Sequence, residues 1–268
     1  PMIALMEYFR RRSIHDHHAS ATLAVLVFAL VFAKCFANGF EYITTALVMM
    51  ATPFVYYSVR DGLPARRFIK GALVVACSAG LAVASSLVLL LFQIAAVKGS
   101  LLNGIQHIAW SLGRRTYGAS SQYAAEYADS LKAGTFEVVS RYVTGPFLDL
   151  NNYVSTDSAF ISDVVLKIRY LHLIALFLLA SVFLYVRRNA AGDERGKHTA
   201  LLAATWFSIL APLSWFVIFK AHSAVHTHMN FIAWQMPFVF FGGALCGLAV
   251  KIAMRTWRLP AGAPPAVS

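Results

Sequence analysis

Eleven residues towards the C-terminal end of the chain concentrate side chains that could bind an anion or a metal. The segment is Lys220-Ala-His222-Ser-Ala-Val-His226-Thr-His228-Met-Asn230, and it holds three of the nine histidines. An ammonium, three imidazoles and an amide can all donate hydrogen bonds to a phosphate or pyrophosphate. If the segment is helical, His222 and His226 share one face, because they stand four residues apart.

Two other interpretations of these side chains stay open. His222, His226 and His228 could bind Zn²⁺ or Cu²⁺, since three imidazoles suit either metal. No carboxylate in the adjacent sequence would orient the rings in the way that metal-bound histidines require. The histidines could also hydrogen-bond only to lipid headgroups and loop carbonyls. A divalent metal is therefore one candidate cofactor, and no other is predicted.

A second candidate binding segment is Arg114-Arg115-Thr-Tyr117-Gly. Adjacent guanidinium groups beside a tyrosine could clamp a phosphate or a sugar. The same arginines could instead form a basic edge that reaches outer-leaflet headgroups. No catalytic residue is predicted, because no two acidic residues of the outer segments have a spacing that would indicate a catalytic pair. Glu41 lies in a short turn, and its plainest partner is Lys34.

Long apolar runs surround these segments. The 268 residues are 59% hydrophobic and 13% charged, whereas a soluble domain carries about 25% charged residues. Six runs approach or exceed the roughly 20 residues that a helix needs to cross a bilayer. They are residues 19–37, 42–59, 69–97, 166–186, 199–219 and 231–254. The predicted fold is an all-α, polytopic bundle of about six transmembrane helices in contact with membrane lipids.

The basic residues predict how this bundle is oriented. Most of the 23 lysines and arginines fall in four segments, residues 10–12, 60–70, 187–197 and 251–258. The positive-inside rule places all four on the cytoplasmic side, with both termini. The 220–230 hairpin then lies on the outer face. The net charge of +11 is explained by basic residues that orient the helices in the membrane and contact anionic lipid headgroups. Nucleic acid is therefore not an expected partner.

The predicted organisation has four parts. Residues 1–97 form an N-terminal tail and three spans, and residues 98–165 form a helical outer, periplasmic segment. An amphipathic helix from Leu101 to Leu112 should lie on the membrane there. Residues 166–254 form three more spans, and residues 255–268 a disordered cytoplasmic tail. Because residues 1–9 are apolar but too short for a span, the chain is interpreted as the C-terminal part of a longer protein.

One stretch of sequence also resembles a known class of enzymes. The order Ser214-Trp215-Phe216, Lys220-Ala-His222-Ser223 and His226-Thr-His228-Met-Asn230, followed by an aromatic span, is similar to a segment of bacterial polytopic, C-type membrane glycosyltransferases. The resemblance covers about twenty residues. It implies many spans, a catalytic site on the outer face and a polyprenyl-phosphate-linked sugar as donor. The family's catalytic carboxylate lies in the first outer loop of the full-length enzyme, so no catalytic base is assigned here.

These observations lead to one functional expectation with two alternatives. The chain is expected to be part of a membrane glycosyltransferase in the bacterial inner membrane, with Lys220, His222, His226, His228, Asn230, Arg114, Arg115 and Tyr117 binding the lipid-linked sugar. Another polypeptide, or a missing N-terminal half, would complete the site. The alternatives are a transporter or flippase subunit for lipid-linked glycans, and a non-catalytic assembly subunit. The nucleotide-binding and hydrolase motifs GxxxxGK[ST], HExxH and GxSxG do not occur.

Overall fold

A computed structural model describes residues 17–118, 120–187 and 194–258 of the chain. The structure is 85% helical, so the predicted all-α class is confirmed. Among the described residues, the only strands are a short antiparallel pair, β1 (Pro146–Asp149) and β2 (Lys167–Arg169). The predicted tail at residues 1–16 and the last ten residues lie outside the described part.

Thirteen helices follow one another in the described residues. The N-terminal three are α1 (His17–Asn38), α2 (Ile43–Arg60) and α3 (Ala65–Lys98). The segment that is predicted to lie on the outer face, called the outer segment below, contributes α4 (Leu101–Tyr117), α5 (Ala128–Lys132) and α6 (Thr135–Thr144). The C-terminal half contains α7 (Tyr170–Val186), α8 (Arg195–Ser208), α9 (Leu210–Ile218), α10 (Lys220–Val225), α11 (Thr227–Asn230), α12 (Ile232–Trp234) and α13 (Phe240–Arg258).

Four stretches of helix in the described chain are long and apolar enough to cross a membrane. They are Ser20–Asn38, Ala65–Lys98, Arg195–Ile218 and Thr227–Arg255. The predicted number of six spans is therefore not confirmed. The second predicted run forms α2, whose threonines, tyrosines and terminal Arg60 make it less apolar, and the fourth forms α7, a shorter apolar helix of 17 residues. The fold is that of a membrane protein.

The helices pack in pairs around an aromatic core. Helix α1 lies along α3, α2 lies along α8 and α9, and α13 packs against α7 and α8. Trp215, Phe216, Trp234 and Phe238 are fully or almost fully buried where these pairs meet. Helix α3 has 34 residues, which at 1.5 Å per residue makes it about 50 Å long. It therefore reaches well beyond a bilayer core of about 30 Å.

The basic connections gather at one end of the bundle. A Cβ atom on Gly196 would lie 3.3 Å from the carbonyl oxygen of Arg60, so the end of α2 meets the start of α8. The pKa of Glu194 is lowered chiefly by a hydrogen bond from Lys197 and also by the positive charge of Lys251 in α13. Lys251 therefore lies near this end as well. Helix α2 runs from this end to the opposite one, where Glu41 and the histidine segment lie. In the described residues, the connections at Arg60 and Lys197 therefore lie at the end of α2 that is remote from the histidine segment.

Close packing of the last helix depends on one of its three glycines, Gly242, Gly243 and Gly247. Gly243 and Gly247 form a GxxxG pair, a pattern that often admits a neighbouring helix. A Cβ on Gly242 would lie 2.1 Å from the ring of Phe177 in α7, whereas no described atom lies within 4 Å of a Cβ on Gly243 or Gly247. Gly242 therefore permits the α7–α13 contact. Helix α13 also continues to Arg258, past the predicted start of a disordered tail at residue 255.

Candidate functional site

A tight turn between α1 and α2 places one carboxylate at the end of the bundle opposite the basic connections. Gly39 and Tyr42 both have positive φ, at 60° and 51°, a conformation that costs a non-glycine residue free energy. Lys34 holds the turn closed, because its Nζ donates to the carbonyl oxygens of Gly39, at 2.8 Å, and of Glu41. The Glu41 carboxylate is thereby left to contact other elements.

The histidine segment and the arginine pair come together on one cavity at this end. The cavity has a volume of about 170 Å³ and is lined by Trp110, Ser111, Arg114, Arg115, Tyr123, His222 and His226. Helix α4 supplies four of these residues and packs directly against α10, which carries His222. Two segments about 100 residues apart in the sequence thus form one polar site.

The α4 wall of the cavity is built around Arg114. Its guanidinium carbon lies 5.5 Å from the ring centre of Trp110, one helical turn earlier, and 4.7 Å from that of Tyr123. The Tyr123 hydroxyl donates to the carbonyl oxygen of Arg114 at 2.6 Å. A side chain on Gly118 would meet the backbone of Arg114 at 2.7 Å, so only glycine lets the chain turn back this closely. Two aromatic rings therefore hold the guanidinium beside the cavity.

Glu41 joins the two walls. Its Oε1 lies 3.1 Å from Nη1 of Arg115, and its Oε2 lies 3.7 Å from Nε2 of His222. The sequence suggested Lys34 as the partner of this carboxylate; the Lys34 ammonium donates to the backbone carbonyl oxygen of Glu41, and the carboxylate forms its ion pair with Arg115. The Arg115–Glu41 pair is about 38% exposed, so solvent weakens it. The carboxylate is close enough to compete with any anion that enters.

Aromatic side chains of the core hold the α10 wall of the cavity in place. The His222 ring packs edge-on against the buried Trp215, with ring centres 5.8 Å apart, and lies 4.5 Å from the His226 ring. The hydroxyl of Tyr142 in α6 donates to the carbonyl oxygen of Ser223 at 2.7 Å. These contacts hold α10 against both the membrane bundle and the outer segment.

Burial and charge both keep the two imidazoles neutral. Burial lowers the pKa of His222 to about 4, the charges of His226, Arg115 and Arg114 act in the same direction, and Glu41 opposes them. Burial, His228 and the same arginines lower the pKa of His226. At neutral pH the cavity therefore presents two guanidinium groups, one carboxylate and two neutral imidazoles. An entering anion would favour protonation of these rings.

The low pKa of His222 predicts a pH-dependent stability. In the unfolded chain this group titrates near 6.5, so between pH 6.5 and about 4 the unfolded state binds more protons and the free energy of unfolding falls as pH falls. We expect the wild-type chain to lose about 1–2 kcal/mol more than His222→Gln between pH 7 and pH 5. Thermal unfolding in detergent at each pH measures this difference. Parallel profiles would contradict the burial of a neutral His222.

Three of the sequence-predicted binding residues, Lys220, Tyr117 and His228, do not line the cavity. The Nζ of Lys220 donates to the carbonyl oxygen of Leu131 at 3.1 Å and so ties α10 to α5. The Tyr117 hydroxyl donates to the carbonyl oxygen of Val217 at 3.1 Å. His228 is exposed, with its ring centre 6.1 Å from that of His226. The backbone of Asn230 ends α11, and its side chain lies outside the described part.

The metal interpretation finds no support in the arrangement of the histidines. Among the residues that the structure describes, no group of three or more His, Cys, Asp or Glu side chains is placed to hold a metal ion. His228 is exposed and does not line the cavity with His222 and His226, and the Glu41 carboxylate is engaged with Arg115. The three-imidazole site for Zn²⁺ or Cu²⁺ is therefore corrected to a two-imidazole wall.

Three residues of the cavity were not indicated by the sequence. Trp110 and Ser111 precede Arg114 by four and three residues, a spacing that places them on the same helical face. The predicted helix ended at Leu112, whereas α4 continues to Tyr117, so this spacing becomes informative only when the helix includes Arg114. Tyr123 follows the glycine turn and has no such signal, because its position depends on how the chain folds back.

Comparisons of the chain with known protein families, with curated proteins and with solved structures found no match.

Proposed function

We propose that this chain is part of an integral membrane glycosyltransferase whose outer-face cavity binds the phosphate of a polyprenyl-phosphate-linked sugar. One observation carries the proposal: Arg114 and Arg115 of α4 meet His222 and His226 of α10 on a single small cavity. Guanidinium and imidazole groups that converge in this way are typical of phosphate recognition. The host membrane is proposed to be the inner membrane of a bacterium, with the basic connections on its cytoplasmic side.

The size of the cavity favours a phosphate over a complete small molecule. Its volume of about 170 Å³ lies below the roughly 300–1,000 Å³ of pockets that enclose drug-sized ligands. The remainder of a larger ligand would extend out of it. A lipid-linked phosphate satisfies this condition, because its hydrocarbon chain stays in the bilayer and only the headgroup enters.

The surroundings of the cavity favour a lipid-borne ligand over a soluble one. Leu101, Ile105 and Leu112 are exposed along one stripe of α4, as in helices that lie in the membrane interface. Arg114 and Trp110 lie on another face of the same helix. A ligand anchored in the outer leaflet would therefore meet the cavity at headgroup level.

A matched pair of histidine variants tests the proposal. His226→Ala should lower the affinity for polyprenyl phosphate about 3- to 10-fold, because it removes one hydrogen-bond donor from the cavity. His228→Ala should leave the affinity unchanged, because this ring is exposed outside the cavity. Binding is measured on the chain in lipid nanodiscs with radiolabelled polyprenyl phosphate.

The outcomes separate the possible roles. Equal effects of the two variants, or no binding by the wild-type chain, would remove phosphate recognition from this site. Tight, His226-dependent binding without sugar transfer to any acceptor, in the complete protein, would favour a carrier or flippase subunit over an enzyme.

A further inference from the structure

A second depression adjoins the phosphate cavity and is unlike it in chemistry. This groove has a volume of about 480 Å³ and is lined by Lys98, Asn103, Gln106, His107 and Trp110. It follows the polar face of α4 back to the end of α3. Trp110 lines both the groove and the cavity, so the two adjoin each other at this indole.

The lining of the groove suits a polyhydroxylated ligand. The side-chain amides of Asn103 and Gln106 and the imidazole of His107 can each donate and accept hydrogen bonds, which is what sugar hydroxyls require. Trp110 is 46% exposed, and its indole offers an apolar surface to the C–H groups of a sugar ring. The lining includes no carboxylate, so nothing in it repels an adjacent phosphate.

Local contacts hold this lining in a defined arrangement. The backbone N–H of Asn103 donates to the capping hydroxyl of Ser100 at 3.1 Å, and its Nδ2 donates to the carbonyl oxygen of Lys98 at 3.0 Å. The His107 ring stacks near Trp110, with ring centres 6.0 Å apart and planes at 27°. The groove is therefore a feature of a capped, packed helix and not of a loop.

The geometry of the substrate connects the groove to the cavity. In a polyprenyl-phosphate-linked sugar, the anomeric carbon is bonded directly to a phosphate oxygen, so the first sugar ring must lie beside the phosphate. The Arg114 guanidinium lies 5.5 Å from the Trp110 ring. An anion held by Arg114 thus brings the ring to Trp110, where the groove begins. The groove is open to solvent, and its volume of about 480 Å³ leaves room for a sugar ring to lie against Trp110.

We infer that this groove binds the carbohydrate part of the lipid-linked substrate, with Gln106, His107 and Trp110 determining which sugar is accepted. The inference rests on the proposed function, because the groove receives a sugar only when the phosphate is held next to it. The cavity would supply affinity that is common to all polyprenyl phosphates. The groove would supply the additional affinity of one sugar over another.

Binding of paired lipids tests the groove separately from the cavity. The chain in nanodiscs is titrated with bare polyprenyl phosphate and with a panel of polyprenyl-phosphate monosaccharides. At least one member of the panel should bind about tenfold more tightly than the bare lipid to the wild-type chain, a gain of about 1.4 kcal/mol. Gln106→Ala and His107→Ala, which alter only the groove, should each remove most of this gain and leave binding of the bare lipid unchanged. Gln93→Ala, an exposed glutamine on α3 outside both depressions, is the control and should bind every lipid as the wild-type chain does.

The possible failures are distinguishable. If bare polyprenyl phosphate binds but no sugar in the panel improves its affinity, or if the gain survives in both groove variants, the groove does not bind carbohydrate and the phosphate cavity stands. If the bare lipid does not bind, the proposed function fails first and the groove inference fails with it. A gain that disappears equally in Gln93→Ala would show a general effect of substitution and would also overturn the inference.

Discussion

Replacing Arg115 with alanine is expected to lower the affinity for polyprenyl phosphate about 10- to 100-fold, the largest effect of any single change in the cavity. A hydrogen bond to a charged group contributes about 1.5–3 kcal/mol, and one tenfold step corresponds to 1.4 kcal/mol. Arg115 lies 3.1 Å from the Glu41 carboxylate in the wild-type chain. Without Arg115, this negative charge is no longer paired and repels the incoming anion. Equilibrium binding in nanodiscs measures the change.

A second arginine in the outer segment provides a close control. Arg141 pairs with Glu137 at 2.6 Å, and its side chain is 39% exposed, against 38% for Arg115. Arg141→Ala removes the same charge from a glutamate-paired, half-exposed arginine outside the cavity. Its effect on binding should therefore be small. If both variants weaken binding equally, long-range charge rather than the cavity explains the result.

The partner carboxylate sharpens this prediction. Glu41→Gln should raise the affinity several-fold, because it removes the negative charge that competes for Arg115. The double variant Arg115→Ala/Glu41→Gln should recover part of the loss, since the two groups are coupled through direct contact. If Arg115 served only to hold the turn at Glu41, both single variants would reduce stability together, and neither would raise affinity.

The periodicity of apolar residues predicted where the long helices lie, but it does not determine how many of them span a membrane. A run such as residues 69–97 has one structural solution, a long apolar helix, and α3 is that helix. Helix α2 is ambiguous from sequence, because Pro53, two tyrosines and Arg60 dilute a run that is apolar at its start. Burial against α8 and α9 supports it, and this burial depends on tertiary packing that a window of sequence does not contain.

The candidate site was predictable in part for a similar reason. The spacing of His222 and His226 indicated one helical face, and both rings line the cavity. Lys220 belonged to the same cluster by sequence, but its long side chain bonds to Leu131 in α5. The meeting of Glu41 with Arg115 could not be predicted, because it depends on the contact of α4 with α10 and on a turn with positive φ. Local sequence patterns thus predict which residues share a helical face. Long-range contacts determine which of those residues line the site.

A second long-range contact, that of α6 with α10, predicts a large effect at Tyr142. Its side chain is fully buried, stacks on Phe216 with ring centres 3.9 Å apart, and hydrogen-bonds the backbone of α10 at Ser223. Tyr142→Ala should lower the free energy of unfolding by about 3–5 kcal/mol, the usual cost of removing a buried aromatic ring. Thermal or denaturant unfolding in detergent measures this change. The control is Tyr153→Ala, because this tyrosine of the outer segment is 82% exposed and should cost less than about 0.5 kcal/mol.

The milder variant Tyr142→Phe separates packing from positioning. It keeps the ring on Phe216 and removes only the hydrogen bond to Ser223, at an expected cost of about 1 kcal/mol. Because Ser223 adjoins His222, loosening this point should also weaken phosphate binding, whereas Tyr153→Ala should not. If Tyr142→Ala and Tyr153→Ala have the same free energy of unfolding, then Tyr142 does not anchor α10. The α4–α10 contact alone would then hold the cavity together.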